Sequence, residues 1–143
     1  MKIVLDEGAF MPTRAHETDA GLDLYAKYGG ILYPIKDAVK GSGMVFDTGV
    51  HIELPHGYFG KIESKSGLNC NHGVVSCGGV IDEGYTGSIA VKLYNLGKRP
   101  YTFNAGDKIA QLVIMPYATP ELELVDTLDQ TERGEAGFGS TGR

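Results

Sequence analysis

Asp82, Glu83 and Tyr85 stand close together in "GGVIDEGYTG" (78–87), where a short apolar run becomes a glycine-punctuated turn. A carboxylate placed there can accept a proton from water and make that water a nucleophile. Gly78 and Gly79, just before it, would let a ligand come close to the backbone. A plain hairpin turn accounts for the same residues, since Asp, Gly and Thr favour turns, and Tyr85 is then an edge aromatic.

Four other stretches carry groups suited to phosphate or metal chemistry. Asp19 and Asp23 lie four apart in "TDAGLDLYA" (18–26). A carboxylate there could hold the water shell of a hard cation such as Mg²⁺, or simply be solvated in a turn. In "SKSGLN" (64–69), Ser66 is a plausible N-cap for a helical turn or two, and Gly67 follows it. Its hydroxyl, the N–H groups after it and the Lys65 ammonium would form either a phosphate seat or only a capped turn. Gln111 is the polar residue inside the apolar strand of "AGDKIAQLVIMPY" (105–117), so its amide needs a partner on a ligand or a neighbouring strand. The terminal "RGEAGFGSTGR" (133–143) holds Arg133, Phe138, Gly139, Ser140 and Thr141 among its glycines. It is not a Walker A loop, because no Gly-Lys-Ser/Thr follows.

The elements that would position these groups read as β throughout. Residues 44–54 and 58–63 contain period-two stretches. In 88–95, Ile89, Val91 and Leu93 share one face. "ELELV" (121–125) alternates cleanly and 108–115 reads as a buried strand. Short strands punctuated by turn residues predict an all-β, single-domain antiparallel sandwich or distorted barrel. Apolar residues thin out after about Asp126, so 1–125 reads as the packed body and 126–143 as a flexible, glycine-rich tail.

The 143 residues include 13 Lys and Arg against 18 Asp and Glu, with no basic run. A nucleic-acid polymer is therefore an unfavoured partner, because such binding needs a basic face. No segment approaches the roughly 18 apolar residues of a membrane span. "MKIVLDEGAF" lacks the shape of a signal peptide, so a cytoplasmic location and no membrane partner are expected. Cys70 and Cys77 read as free thiols, and the four histidines have no metal-ligand spacing.

Taken in order, "AGLDLYA", "SGL", "GVIDEGYTG", "GDKIAQLV" and "RGEAGFGSTG" resemble the five motifs of the trimeric, all-β dUTP diphosphatase (dUTPase) family, over about Ala15 to Gly142. The resemblance implies a jelly-roll-like fold and hydrolysis of dUTP to dUMP and pyrophosphate with Mg²⁺. Asp82 corresponds to the aspartate that activates the attacking water at the α-phosphorus. Asp23 corresponds to the aspartate that supports the metal through its waters. Lys65, Ser66, Gly67 and Gln111 match phosphate-contacting positions. Gly78 and Gly79 match the backbone that reads the uracil edge, and Tyr85 the ring beneath the deoxyribose. Arg133 matches the tail arginine at the γ-phosphate, with Gly139, Ser140 and Thr141 nearby, and Phe138 the ring over the base. The resemblance also implies a homotrimer with shared sites, limitation of uracil in DNA and supply of dUMP for dTTP synthesis.

The chain departs from the family pattern in three places. Lys65 stands where arginine is usual, which keeps the charge but loses the bidentate fork. Ala136 replaces a glycine. Segment 27–43 is a few residues long for the family and is expected to form a surface loop or a partner site. Glu83 keeps a second chemistry open: the related deamination of dCTP uses a glutamate as proton shuttle. A signalling role on the same fold, with dUTP as a ligand, is the third reading.

Overall fold

The structure, a computed structural model, describes residues 1–37, 39–41, 43–77 and 79–136. The described chain forms β1 (Lys2–Leu5), β2 (Gly21–Tyr25), β3 (Gly30–Leu32), β4 (Met44–Asp47), β5 (Val50–Glu53) and β6 (Tyr58–Glu63). After these come α1 (Ser66–His72), β7 (Val74–Ser76), β8 (Val80–Ile81), β9 (Ala90–Asn95), β10 (Tyr101–Phe103) and β11 (Lys108–Pro116). All named strand pairs are antiparallel. They form a four-stranded sheet in the order β2-β11-β6-β8, a three-stranded sheet β4-β9-β7, and the pairs β1-β5 and β10-β3.

The period-two pattern explains which faces meet. Ile89, just before β9, and Val91 and Leu93 within it are buried on one side, while Ala90 is exposed on the other. Leu24, Ile62 and Leu112 supply the inner face of the four-stranded sheet, and the Phe46 and Phe103 rings meet edge-on at 5.1 Å. Fully burying one such side chain contributes about 1.5–3 kcal/mol, which is why alternation fixes the register so firmly. The sheets stay open and do not close into a barrel, so the sandwich half of the expectation is the one realised.

Three local differences from the sequence reading have clear causes. The stretch 44–54 is two strands, broken at Thr48, whose hydroxyl donates to Ile89 O at 2.7 Å and accepts Val50 N–H at 3.2 Å. "ELELV" forms no strand: it joins no sheet among the described residues, and Leu122 and Leu124 are fully exposed. Alternation describes what a strand could bury, but a strand also needs an edge to pair with. Segment 27–43 is only partly a loop, since β3 lies within it and pairs with β10. Among the described residues, no helix is long and apolar enough to cross a membrane.

Candidate active site

The first group of functional residues gathers where β2, β11 and the end of β6 lie side by side. Gln111 is opposite Asp23 on one neighbour and Glu63 on the other, so register alone brings Gln111 and Asp23 to one face. Asp23 is only 4% exposed. Lys65, just past β6, places Nζ 2.5 Å from Asp23 Oδ1, and Lys108 places Nζ 2.7 Å from Oδ2. Burial alone would raise the Asp23 pKa, but the hydrogen bonds and charges of Lys108 and Lys65 more than reverse that and hold it below the ordinary 3.8. Gln111 Nε2 donates to Ser64 O at 3.1 Å, so the backbone just past β6 satisfies the half-buried amide. A pocket of about 300 Å³ opens here, lined by Asp19, Gly21, Asp23, Lys65 and Gln111. The Asp19 carboxylate is turned to His16, accepting its backbone N–H at 2.9 Å, so Asp19 and Asp23 do not act as a pair.

Helix α1 begins at the rim of this pocket, one residue earlier than a serine cap would place it. The N-cap is Lys65, extended at φ −75°, ψ 125°, and its carbonyl accepts the first helical bond from Asn69 N–H at 2.9 Å. Ser66 is therefore the first helical residue and not the cap. The Lys65 side chain makes no capping bond because Asp23 takes its ammonium. The N–H groups of Ser66 and Gly67 keep the orphan position of every helix start and point out of the first turn. Gly73 ends the helix in the left-handed region at φ 69°.

The second group lies on the turn after β8, which crosses to β9 in the other sheet. Ile62 N–H donates to Gly79 O at 2.8 Å, which fixes the strand leading into the turn. Gly79 has φ 123°, and a Cβ there would fall on the Ile62 side chain. Tyr85 N–H closes the turn on Asp82 O at 3.0 Å. Asp82 is exposed, and among the described residues nothing bonds its carboxylate. Tyr85 is 45% exposed, its hydroxyl donating to Ser88 O at 2.9 Å.

Glu83, beside Asp82, does the opposite of its neighbour. Its carboxylate accepts from His56 Nδ1 at 2.8 Å, Gly57 N–H at 2.8 Å and Tyr117 Oη at 2.9 Å. Those bonds lower its pKa to about 2, His56 contributing most. A carboxylate held ionised in this way is a strut and a poor proton shuttle near neutral pH, so the reading as a dCTP deaminase loses its central residue.

The two groups do not meet within one chain. Ile81, the last residue of β8, pairs with Gly60, so Asp82 follows just past that edge strand at about the level of Phe59, while Asp23 on the opposite edge strand β2 is level with Glu63. Four residues along and three strand spacings across put them roughly 20 Å apart over the sheet surface. Residues 115–136 are exposed throughout, and among the described residues Arg133 Nε donates only to Ala136 O, at 3.1 Å. Gly78, Phe138, Gly139, Ser140 and Thr141 lie outside the described residues. The sequence reading did not single out Lys108, His56 or Tyr117.

A family profile described as dUTPase matches residues 7–142. The chain is 41% identical over 139 residues to deoxyuridine 5'-triphosphate nucleotidohydrolase of Mus musculus, covering 97% of this chain and 82% of that protein. It is 42% identical over 147 residues to the enzyme of the same name from Clostridium novyi (strain NT), covering 99% of both. The solved structure of a Staphylococcus bacteriophage 80alpha dUTPase mutant with dUpNHpp superposes with a TM-score of 0.86 at 30% identity, over 99% of this chain and 98% of that one.

Proposed function

The chain belongs to the dUTPase family, and on that premise we propose that it hydrolyses dUTP to dUMP and pyrophosphate in a homotrimer whose sites are shared between subunits. The observation that carries this reading is the separation of its two halves. Asp23, Lys65 and Gln111 gather at one end of the sheet and Asp82 and Tyr85 at the other. Neither half is a site alone, and a symmetric assembly that sets one half of one subunit against the other half of the next completes both. The exposed "ELELV" segment and tail suit the same assembly, because Leu122 and Leu124 bury against nothing among the described residues.

In this reading Asp82 takes a proton from water, and the water oxygen attacks the α-phosphorus. The bond from that phosphorus to the bridging oxygen breaks, and its electrons leave with pyrophosphate. The freedom of the Asp82 carboxylate supports this role, since a base must be unengaged to receive a proton. Lys65, the N–H groups of Ser66 and Gly67, and Gln111 bind phosphate oxygens. Arg133 meets the γ-phosphate. Tyr85 packs beneath the deoxyribose and leaves no room for a ribose 2′-hydroxyl, while Phe138 covers the uracil. The backbone at Gly78 and Gly79 reads the uracil edge; cytosine, with donor and acceptor reversed, would leave buried groups unpaired. The segment around Gly139, Ser140 and Thr141 closes over the nucleotide with the rest of the tail.

The donor set fits a Mg²⁺ carried in by the triphosphate. Asp23 is ionised, and both of its oxygens already accept from lysines, which suits holding a metal-bound water better than ligating the ion directly. Bound Mg²⁺ supplies neutralisation of the charge on the triphosphate and on the leaving pyrophosphate. We place the activity in the cytoplasm, where it limits uracil incorporation into DNA and supplies dUMP for dTTP synthesis. The direct test is incubation of the purified protein with dUTP and MgCl₂. Equal amounts of dUMP and pyrophosphate are expected; no turnover by folded protein would contradict the reading.

A further inference from the structure

Behind the Tyr85 turn lies a cluster of charges that the reaction does not use. His51 on β5 places Nδ1 2.8 Å from Thr86 O and Nε2 3.2 Å from Asp6 Oδ1. A carbonyl and a carboxylate only accept hydrogen bonds. Both ring nitrogens must therefore carry a proton for both bonds to exist, and His51 is then an imidazolium. Its surroundings favour that state. Lys27, only 9% exposed, reaches the other Asp6 oxygen at 3.4 Å. Asp47 on β4 holds Gly49 N–H at 3.1 Å and the Ser88 hydroxyl. Lys27, Asp6 and Asp47 together leave one negative charge, which the imidazolium balances. The remaining charges on this face, Lys2 and Glu53, pair with each other at 3.0 Å. The Thr86 carbonyl contributes most to raising the His51 pKa above 6.5; partial burial opposes it, and Asp6 and Asp47 add to it.

The turn held in this way is the one that carries Tyr85. The Tyr85 hydroxyl is bonded to Ser88 O, and its ring fills the space beside Gly87. Ser88 is bonded to Asp47, and Thr86 to His51. Thr86 and Ser88 thus give the turn two tethers on this side, of which only the one through His51 titrates near neutral pH; Glu83, two residues before Tyr85, is held separately by His56, Gly57 and Tyr117, and its His56 bond also weakens as pH rises.

We infer that His51 is a positioning residue for substrate selection: as an imidazolium bridging Asp6 and Thr86, it fixes the turn that sets Tyr85 against the sugar. This rests on the reading of Tyr85 as the wall beneath the deoxyribose. As pH rises through the His51 pKa, one of its two bonds is lost, the turn loosens, and exclusion of the ribose 2′-hydroxyl weakens. The preference for dUTP over UTP should therefore fall with rising pH, independently of Asp82.

Two measurements on the full-length protein test the inference. NMR titration should show the His51 ring titrating above 6.5, with the backbone amides of Tyr85, Thr86 and Gly87 shifting at the same midpoint. Asp6→Asn should lower that midpoint, and His51→Gln should remove the amide titration. In parallel, the ratio of kcat/KM for dUTP to that for UTP should fall about threefold to tenfold across the midpoint, the factor one net hydrogen bond supplies. In His51→Gln the step at the His51 midpoint should vanish, and in His56→Gln, where Glu83 keeps Gly57 and Tyr117, it should remain. A His51 midpoint at or below 6.5, amides that ignore it, or a wild-type ratio flat with pH would each overturn the inference. Absence of any dUTP turnover would instead overturn the functional reading, while the amide titration still decides whether His51 holds the turn.

Discussion

Lys65 and Asp23, 42 residues apart, meet as an ion pair at 2.5 Å in the pocket they line with Gly21 and Gln111. Asp23 is buried and Lys65 is the cap residue of α1, so one contact joins β2, the end of β6 and the helix start. A lysine at this position is thus pre-oriented by a carboxylate before any nucleotide arrives, which reduces the side-chain entropy lost on binding.

Replacing Lys65 by methionine should separate its two roles. Asp23 keeps Lys108 on its other oxygen, so the stability loss should be about 1.5–3 kcal/mol, one charged hydrogen bond's worth. KM for dUTP should rise more than kcat falls. Denaturant unfolding and steady-state kinetics measure the two effects.

Asp23 also sets an acid limit. Its folded pKa lies below its ordinary 3.8, so its contribution to stability is fully present above that value. The contribution is lost as pH falls through the lower, folded value. Asp23→Asn should therefore destabilise the protein at pH 6 and make almost no difference at the acid end of the transition. Thermal melts from pH 6 to 2 report this directly.

Glu83 should behave as a strut for the Asp82 turn. Glu83→Gln and Tyr117→Phe should each lower kcat, the first by about tenfold to a hundredfold through misplacement of Asp82. Binding of dUpNHpp should change little in Tyr117→Phe. The folded pKa near 2 means that the strut holds above the ordinary 4.5 and fails as pH drops toward 2. Its His56 bond has the other sign: the His56 pKa is raised by Glu83, so that stabilisation is present below 6.5 and fades as pH rises through the folded value.

Gly79→Ala should be costly beyond its size. The backbone at φ 123° disfavours any side chain, and the added methyl would strike Ile62 at the point where β8 joins β6. A loss of about 1–3 kcal/mol is expected from the backbone alone. Loosened exchange protection at Ile62, whose N–H bonds to Gly79 O, would confirm where the damage lies.

Much of this arrangement was legible in the residues. Alternation placed Ile89, Val91 and Leu93 inside, and the wording of five stretches located Asp23, Gln111 and the Asp82 turn. What escaped notice depends on long-range geometry. Lys108 reaches Asp23 where a register shift between Lys108 and Ala110 interrupts the β2–β11 pairing, and simple alternation does not predict such a shift. The Glu83 strut joins residues 27 and 34 positions away, on elements that only the folded sheet brings together. "ELELV" misled in the opposite direction. Its pattern is strand-like, but the surface able to pair with it is not within the described part of one chain.

Subunit mixing reads out whether a working site draws on two subunits. Asp82→Asn should remove the base and lower kcat by about 10²–10⁴, and Asp23→Asn should impair metal and phosphate binding in the other half. Each variant alone should be nearly inactive. After unfolding and joint refolding at equal amounts, random assembly leaves about one shared site in four with both groups intact, so roughly a quarter of wild-type turnover of dUTP should return. If the mixture forms mixed oligomers yet stays as inactive as its components, the site does not span subunits and the account is wrong.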